Sequence, residues 1–188
     1  DLRIGERFLR AGPAYGGSCF PKDTRALIDT GNHFKTDLSI IKTVVASNDK
    51  RKFLLIKKLE EILHGKLKNK TITFLGVTFK PNTDDMREAS SIPMIKYLNK
   101  RNSNIRYYDP SGEKHEFKKL KNVKFYNNIS SACFNSDLIV LHTEWNDFKL
   151  LNFKKIVKKN KFKVFDMRNI YSPTKMKKLK IDYFGIGR

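Results

Sequence analysis

What most constrains the fold is an alternation that begins at Lys70. Short apolar runs at 71–77, 105–108, 123–126, 138–142, 163–166 and 183–186 are separated by stretches with helical spacing. Residues 71–77 and 138–142 are too continuously apolar to have one wet face, so they read as strands covered on both sides. Between the runs, Ser90 or Ser91 can cap a helix carrying Ile92, Met94, Ile95 and Leu98, and Phe153, Ile156 and Val157 share a second helix. Strands alternating with helices give an α/β class: a doubly wound, mostly parallel sheet with helices on both faces. Ligands of such sheets sit at the carboxyl ends of the strands. Phe79 and Lys80, Asp109, and Asp166 to Arg168 fall there.

Upstream the texture differs. Residues 1–20 are Gly-rich, and residues 12–21 hold five Gly or Pro positions, which is loop chemistry. Lys22 to Thr30 predicts a short helix with Gly31 as its C-cap. A longer helix starts behind Thr36 or Asp37, follows the stripe Leu38, Ile41, Val45, Leu55, Leu59 and Ile62 to about residue 63, and stops at 64–66. That length suits a connecting helix, so residues 1–67 form a helical linker region and 68–188 the sheet domain.

The chain carries a net charge of +20, built from 39 Lys and Arg against 19 Asp and Glu. The lysines cluster beside apolar residues at helical or strand spacing, as on the solvated side of an amphipathic element. No tract combines Arg with stacking aromatics, so the charge reads as a basic surface rather than a nucleic-acid site. A basic α/β module that binds nucleic acid is the rival from another class; it requires tight, steeply salt-dependent binding. No run of about 18 apolar residues is present, so no membrane span is expected. Two cysteines exclude a disulfide framework. The opening residues resemble neither a signal peptide nor a translation start, so a segment of a longer protein is expected.

Cys19 stands out for its neighbours. Gly16 and Gly17 leave the backbone open to a ligand, and Pro21, Lys22 and Asp23 begin a helix at once. A thiol near a helix N-terminus and an ammonium group is driven toward thiolate. Asp23 can orient or deprotonate water. Cys, Lys and Asp within five residues on a Gly-rich loop fit covalent catalysis, or equally a tight turn with a buried Cys and a surface Lys–Asp pair. Cys133, between Ala132 and Phe134, reads as core. No metal site is expected.

Four strings, in order along the chain, carry a resemblance. They are Arg3-Ile4-Gly5, Phe8-Leu9-Arg10 and Gly16-Gly17-Ser18-Cys19-Phe20-Pro21-Lys22-Asp23; residues 76–88, read GVTFKPNTDDMRE; Thr143-Glu144-Trp145; and Asp166-Met167-Arg168-Asn169. Together they resemble the UDP-glucose/GDP-mannose dehydrogenase family, in its UDP-glucose 6-dehydrogenase branch. The resemblance implies the end of a central helical dimerisation domain, residues 1–67, and a C-terminal Rossmann-like UDP-sugar-binding domain, residues 68–188. The family's NAD-binding domain, with its Gly-x-Gly-x-x-Gly string, has no counterpart in these residues.

The resemblance also implies roles. Cys19 would bond the sugar C6 as a thiohemiacetal and then a thioester, and Asp23 would assist water or proton transfer. Arg3, Phe8, Leu9, Arg10, Tyr15, Gly16, Phe79, Lys80 and Arg168 would contact UDP-glucose, with Arg3 reaching a neighbouring subunit's substrate. Lys22 and Arg87 would reach NAD. A cytoplasmic homodimer or higher homo-oligomer follows, with UDP-glucose as substrate and neither nucleic acid nor membrane as partner. Glu144 and Trp145 are expected to fix the sheet edge. Pro13-Ala14 departs from the family's usual Gly-rich or aromatic pair, and proline removes one backbone donor. Ser18 and Phe20 argue against the N-acetylhexosamine branch. GDP-mannose oxidation, and nucleotide-sugar binding without catalysis, are the nearer alternatives.

Overall fold

The computed structural model describes residue 5 and residues 9–187. Arg3 and Phe8 lie outside the described residues. Two helices lead: α1 (Cys19–His33) and α2 (Ser39–Ile62). Six strands follow, β1 (Thr71–Leu75), β2 (Asn104–Tyr108), β3 (Val123–Phe125), β4 (Leu138–Leu141), β5 (Lys163–Asp166) and β6 (Asp182–Gly185). Between them run α3 (Ser91–Lys100), α4 (Ile129–Cys133), α5 (Phe153–Val157) and α6 (Pro173–Lys178).

The sheet order is β3-β2-β1-β4-β5-β6, and every pairing is parallel. The order reverses between β1 and β4, which makes their carboxyl ends the switch point of the sheet. Successive side chains of a strand point to opposite faces. Leu138 and Val140 therefore join α2, α3, Ile72 and Phe74 in one core, while Ile139 and Leu141 join α5, α6 and Val164 in the other. All seven of these residues, Ile72, Phe74, Leu138, Ile139, Val140, Leu141 and Val164, are fully buried.

The upstream elements differ from expectation at their ends. α1 starts at Cys19, three residues early, because Pro21 is tolerated within a first helical turn. It also runs through Gly31 to His33 instead of ending there. At Gly31 a Cβ would meet Leu38 Cδ1 at 2.5 Å, so the glycine serves the close approach of the α1–α2 turn. α2 ends where expected, with His64 and Gly65 both at positive φ. Its buried residues are Leu55, Ile56, Leu59 and Ile62, all in its second half, whereas α1 buries only Pro21 and Gly31. α4 and α6, and the short 3-10 turns at His115–Phe117 and Asn146–Phe148, have no counterpart in the sequence reading. Cys133 is buried in the second core, which pushes its thiol pKa up to about 12. Among the described residues no helix is long and apolar enough to cross a membrane.

Candidate functional site

The segment after β1 and the Gly-rich segment before α1 lie against each other at the switch point. Gly17 has φ +84°, a conformation that L side chains rarely adopt, and its N–H donates to the Arg87 carbonyl at 2.8 Å. A Cβ at Gly17 would stand 2.8 Å from the Phe79 ring, and one at Gly16 would stand 2.7 Å from the Glu88 carbonyl oxygen. Phe79 is therefore spent on packing under the glycines. The exposed Lys80 reaches back over the same ring, its Nζ 5.3 Å from the centroid.

α2 holds the loop from its other side. Arg51 donates from Nε and Nη2 to the Gly12 carbonyl at 3.1 and 2.8 Å. The Asn48 amide accepts from Tyr15 N–H at 2.9 Å and donates to Tyr15 C=O at 3.2 Å. The Tyr15 ring meets Phe20 edge-on, with centroids 4.7 Å apart. Leu9 and Arg10, at the loop's start, are exposed.

Cys19 opens α1 and is exposed, with its Sγ 3.6 Å from Ser18 Oγ. Lys22 and Asp23 follow at three and four residues, so all three share one face of the first turn. The lysine is turned to Asp23 at 3.1 Å, so it is not the cation beside the thiol. Arg87 is closer to that role. Its pKa is raised first by the hydrogen bonds to Asp85 and to a smaller degree by the nearby Cys19. The guanidinium sits on both Asp85 oxygens, Nε at 3.0 and 3.1 Å and Nη2 at 2.8 Å, and lowers the Asp85 pKa.

Arg168, after β5, pairs with Glu144, after β4, through both Nε and Nη2. The edge-fixing carboxylate of the sequence reading is thus the arginine's partner. The free Nη1 lies against Gly12, where a Cβ would collide with it, so the far side of the sheet edge also reaches the loop. Beneath the pair, His142 is fully buried. Burial, helped by the positive charge of Arg168, pushes its pKa down to about 3. Thr143 Oγ1 donates to Thr78 C=O at 2.7 Å, so it accepts from His142 Nδ1–H at 3.1 Å. The ring's Nε2 then accepts from Ser90 Oγ at 2.8 Å. This neutral chain ties the ends of β1, β4 and the start of α3 together.

Two carboxylates flagged at strand ends are consumed by local backbone N–H and hydroxyl donors. Asp109 accepts from Val77 N–H at 2.7 Å and Ser111 N–H at 3.0 Å. Asp166 accepts from Arg168 N–H, Tyr171 N–H and Tyr183 O–H. They shape the loops. The structure thus brings Cys19, Asp23, Lys22, Arg87, Tyr15, Gly16, Phe79, Lys80 and Arg168 to one edge of the sheet.

Residues 73–173 match the UDP-binding domain of the UDP-glucose/GDP-mannose dehydrogenase family, and residues 1–50 match that family's central domain. The chain belongs to the UDP-glucose/GDP-mannose dehydrogenase family. It is 40% identical over its whole length to the UDP-glucose 6-dehydrogenase of Rickettsia felis and 39% identical to that of Rhizobium meliloti. It spans 42% and 43% of the length of those two relatives. A UDP-glucose dehydrogenase from Pyrobaculum islandicum, 29% identical, superposes with a TM-score of 0.79 over 98% of this chain and 40% of its own. A GDP-mannose dehydrogenase from Pseudomonas aeruginosa, 22% identical, shares the fold with a TM-score of 0.76.

Sequence reasoning missed three residues of this candidate site. Glu88 accepts from Arg25 at 3.2 Å and Lys52 at 3.3 Å, joining α1, α2 and the β1 loop. Asn48 and Arg51 are the others. Their one signal was a polar stripe at Ser47, Asn48 and Arg51 within the apolar period of α2.

Proposed function

We propose that this chain is the catalytic-thiol and UDP-binding portion of an NAD-dependent UDP-glucose 6-dehydrogenase, which converts UDP-glucose to UDP-glucuronate. The observation that carries the reading is the exposed Cys19 at the head of α1, set by the Gly16–Gly17 turn against the loop after β1. Residues 1–67 supply the helical, dimer-forming part, and 68–188 the nucleotide domain. Exposed Phe34, Ile40, Phe53 and Leu54 on and beside α1 and α2 support a homodimer.

NAD, when bound, accepts a hydride in each of two oxidations. Lys22 and Arg87 fit that cofactor: both are exposed cations, with side chains 74% and 68% accessible, Lys22 on the first turn that Cys19 opens and Arg87 near the thiol. The first oxidation turns the C6 alcohol into an aldehyde. Cys19 Sγ adds to the carbonyl carbon, and the thiol proton ends on the carbonyl oxygen. The thiohemiacetal now has a hydrogen at C6 to give, which a bare aldehyde holds less readily available. Its oxidation leaves a thioester. Water attacks with Asp23, one turn from the sulfur, as proton acceptor, and the C–S bond breaks to release carboxylate and thiol. Lys80 and the loop from Leu9 to Gly16 offset and hold the diphosphate. Arg168 offers Nη1 to the substrate while Glu144 fixes the other two nitrogens.

The test is Cys19→Ala in the full-length protein that contains this chain, with UDP-glucose and NAD. Formation of UDP-glucuronate is expected to stop. Acid formed at an undiminished rate would overturn the reading.

A further inference from the structure

We propose that Asn48 and Arg51 are positioning residues: from α2 they fix residues 12–15 and so decide where the ligand-facing side of the loop and the Cys19 thiol stand. The proposal rests on the reading of that loop as the nucleotide-sugar segment and adds the device that sets its shape.

From Leu9 to Ser18 the loop has no helix or strand of its own, so its polar backbone groups need partners from outside. Arg51 and Asn48 partner three of them: Gly12 C=O, Tyr15 N–H and Tyr15 C=O. Each contact restrains orientation as well as distance. Arg51 grips one carbonyl with two N–H groups of a rigid fork. That carbonyl belongs to the peptide entering Pro13, whose ring fixes the next φ and which is buried. Asn48 pairs with Tyr15 as one rung of a strand ladder would, donor and acceptor together. Gly17, bonded to Arg87 C=O, closes the segment two residues before the thiol.

The same stripe of α2 continues from this grip into the core. Asn48, Arg51 and Lys52 are followed on that face by Leu55 and Leu59, which are 6% and 0% exposed. The helix therefore carries the position of the packed sheet domain to the loop. A cleft of about 360 Å³ lined by Tyr15, Thr43, Val44, Ser47, Asn48 and Arg51 lies behind the loop. If either grip is lost, the loop has room to settle backward.

Alkylation of Cys19 by iodoacetamide tests this in the full 188-residue chain, because Cys133 is buried and reports on folding in the same sample. UDP-glucose is expected to slow alkylation of the unsubstituted chain. In Arg51→Lys, which keeps the charge and loses the fork, and in Asn48→Ala, the half-protecting concentration is expected to rise about tenfold or more. Cys133 stays unreactive and the melting midpoint moves little. Asn48→Asp, which keeps the acceptor for Tyr15 N–H and loses the donor, is expected to fall between. Thr43→Ala, in the same cleft but with its hydroxyl donating within its helix to Ser39 C=O, is expected to protect like the unsubstituted chain. Protection within twofold of the unsubstituted chain in both Arg51→Lys and Asn48→Ala would overturn the proposal. So would Cys133 labelling in step with Cys19, since that marks unfolding. Absence of protection in the unsubstituted chain would overturn the underlying reading of the loop instead.

Discussion

The strands and the thiol loop reach their positions by different means. In β1 and β4 the side chains are buried on both faces and the backbone is paired on both edges. Their place follows from apolar area removed from water, which is non-directional and tolerant of detail. The loop from Leu9 to Ser18 buries Pro13 and Gly17 and little else. Its place follows from directional contacts reaching it from α2 and from the loop after β1, with Arg168 packed against Gly12. A sheet held by its own core can be rigid while the chemistry beside it is tuned by a few hydrogen bonds. That division suits the proposed site, in which a thiol would meet one carbon of a ligand bound by another part of the chain.

The largest expected effect lies in the sheet. Phe74→Ala removes a fully buried ring from the central strand and is expected to cost about 3–5 kcal/mol in urea unfolding. A loss under 1 kcal/mol would mean the strands are not held by packing. Next comes His142, where the two regions meet. Its pKa falls from 6.5 to about 3 on folding, so the unfolded chain binds the extra proton. Stability is expected to drop as pH falls from 6.5 toward 3, by up to about 1.4 kcal/mol per pH unit from this group. His142→Gln should flatten that part of the profile; an unchanged slope would place the titration elsewhere.

Gly17→Ala probes the loop itself. The left-handed backbone alone costs about 1–2 kcal/mol, and the Phe79 ring stands 2.8 Å from the new Cβ. Displacement of the loop is expected, read as a changed Cys19 alkylation rate with the sheet's near-UV signal intact. The smallest effect is expected for Glu88→Gln. Hydrogen bonds from Arg25, with help from Lys52, lower the Glu88 pKa, so its contribution is present above the ordinary glutamate value and fades as pH falls through the lowered one. The pairs are partly exposed, and the change should stay within about 1 kcal/mol in thermal melts at neutral pH.

The same contrast governs what the sequence made legible. All six strands stand out as short apolar runs between helical stretches, most clearly β1, β4 and β5, where burial on both faces leaves a continuous pattern in the residues themselves. α4 and α6 do not, since five or six residues with one or two buried positions make no period. The thiol, its glycines and the Lys–Asp pair are readable because the residue types are unusual together. The grip of Asn48 and Arg51 is not, because it depends on which backbone groups lie opposite a helix some 35 residues away in sequence. The engagement of Arg168 with Glu144 is likewise a matter of geometry, as charge alone offers the arginine several partners.

Binding of UDP to the 188-residue chain, measured by calorimetry alongside GDP and with Lys80→Ala, tests most directly that the switch-point edge of the sheet is the nucleotide site. UDP is expected to bind more tightly than GDP, and Lys80→Ala to weaken it about tenfold or more. Equal affinity for both nucleotides, unaltered by loss of the lysine, would contradict the account.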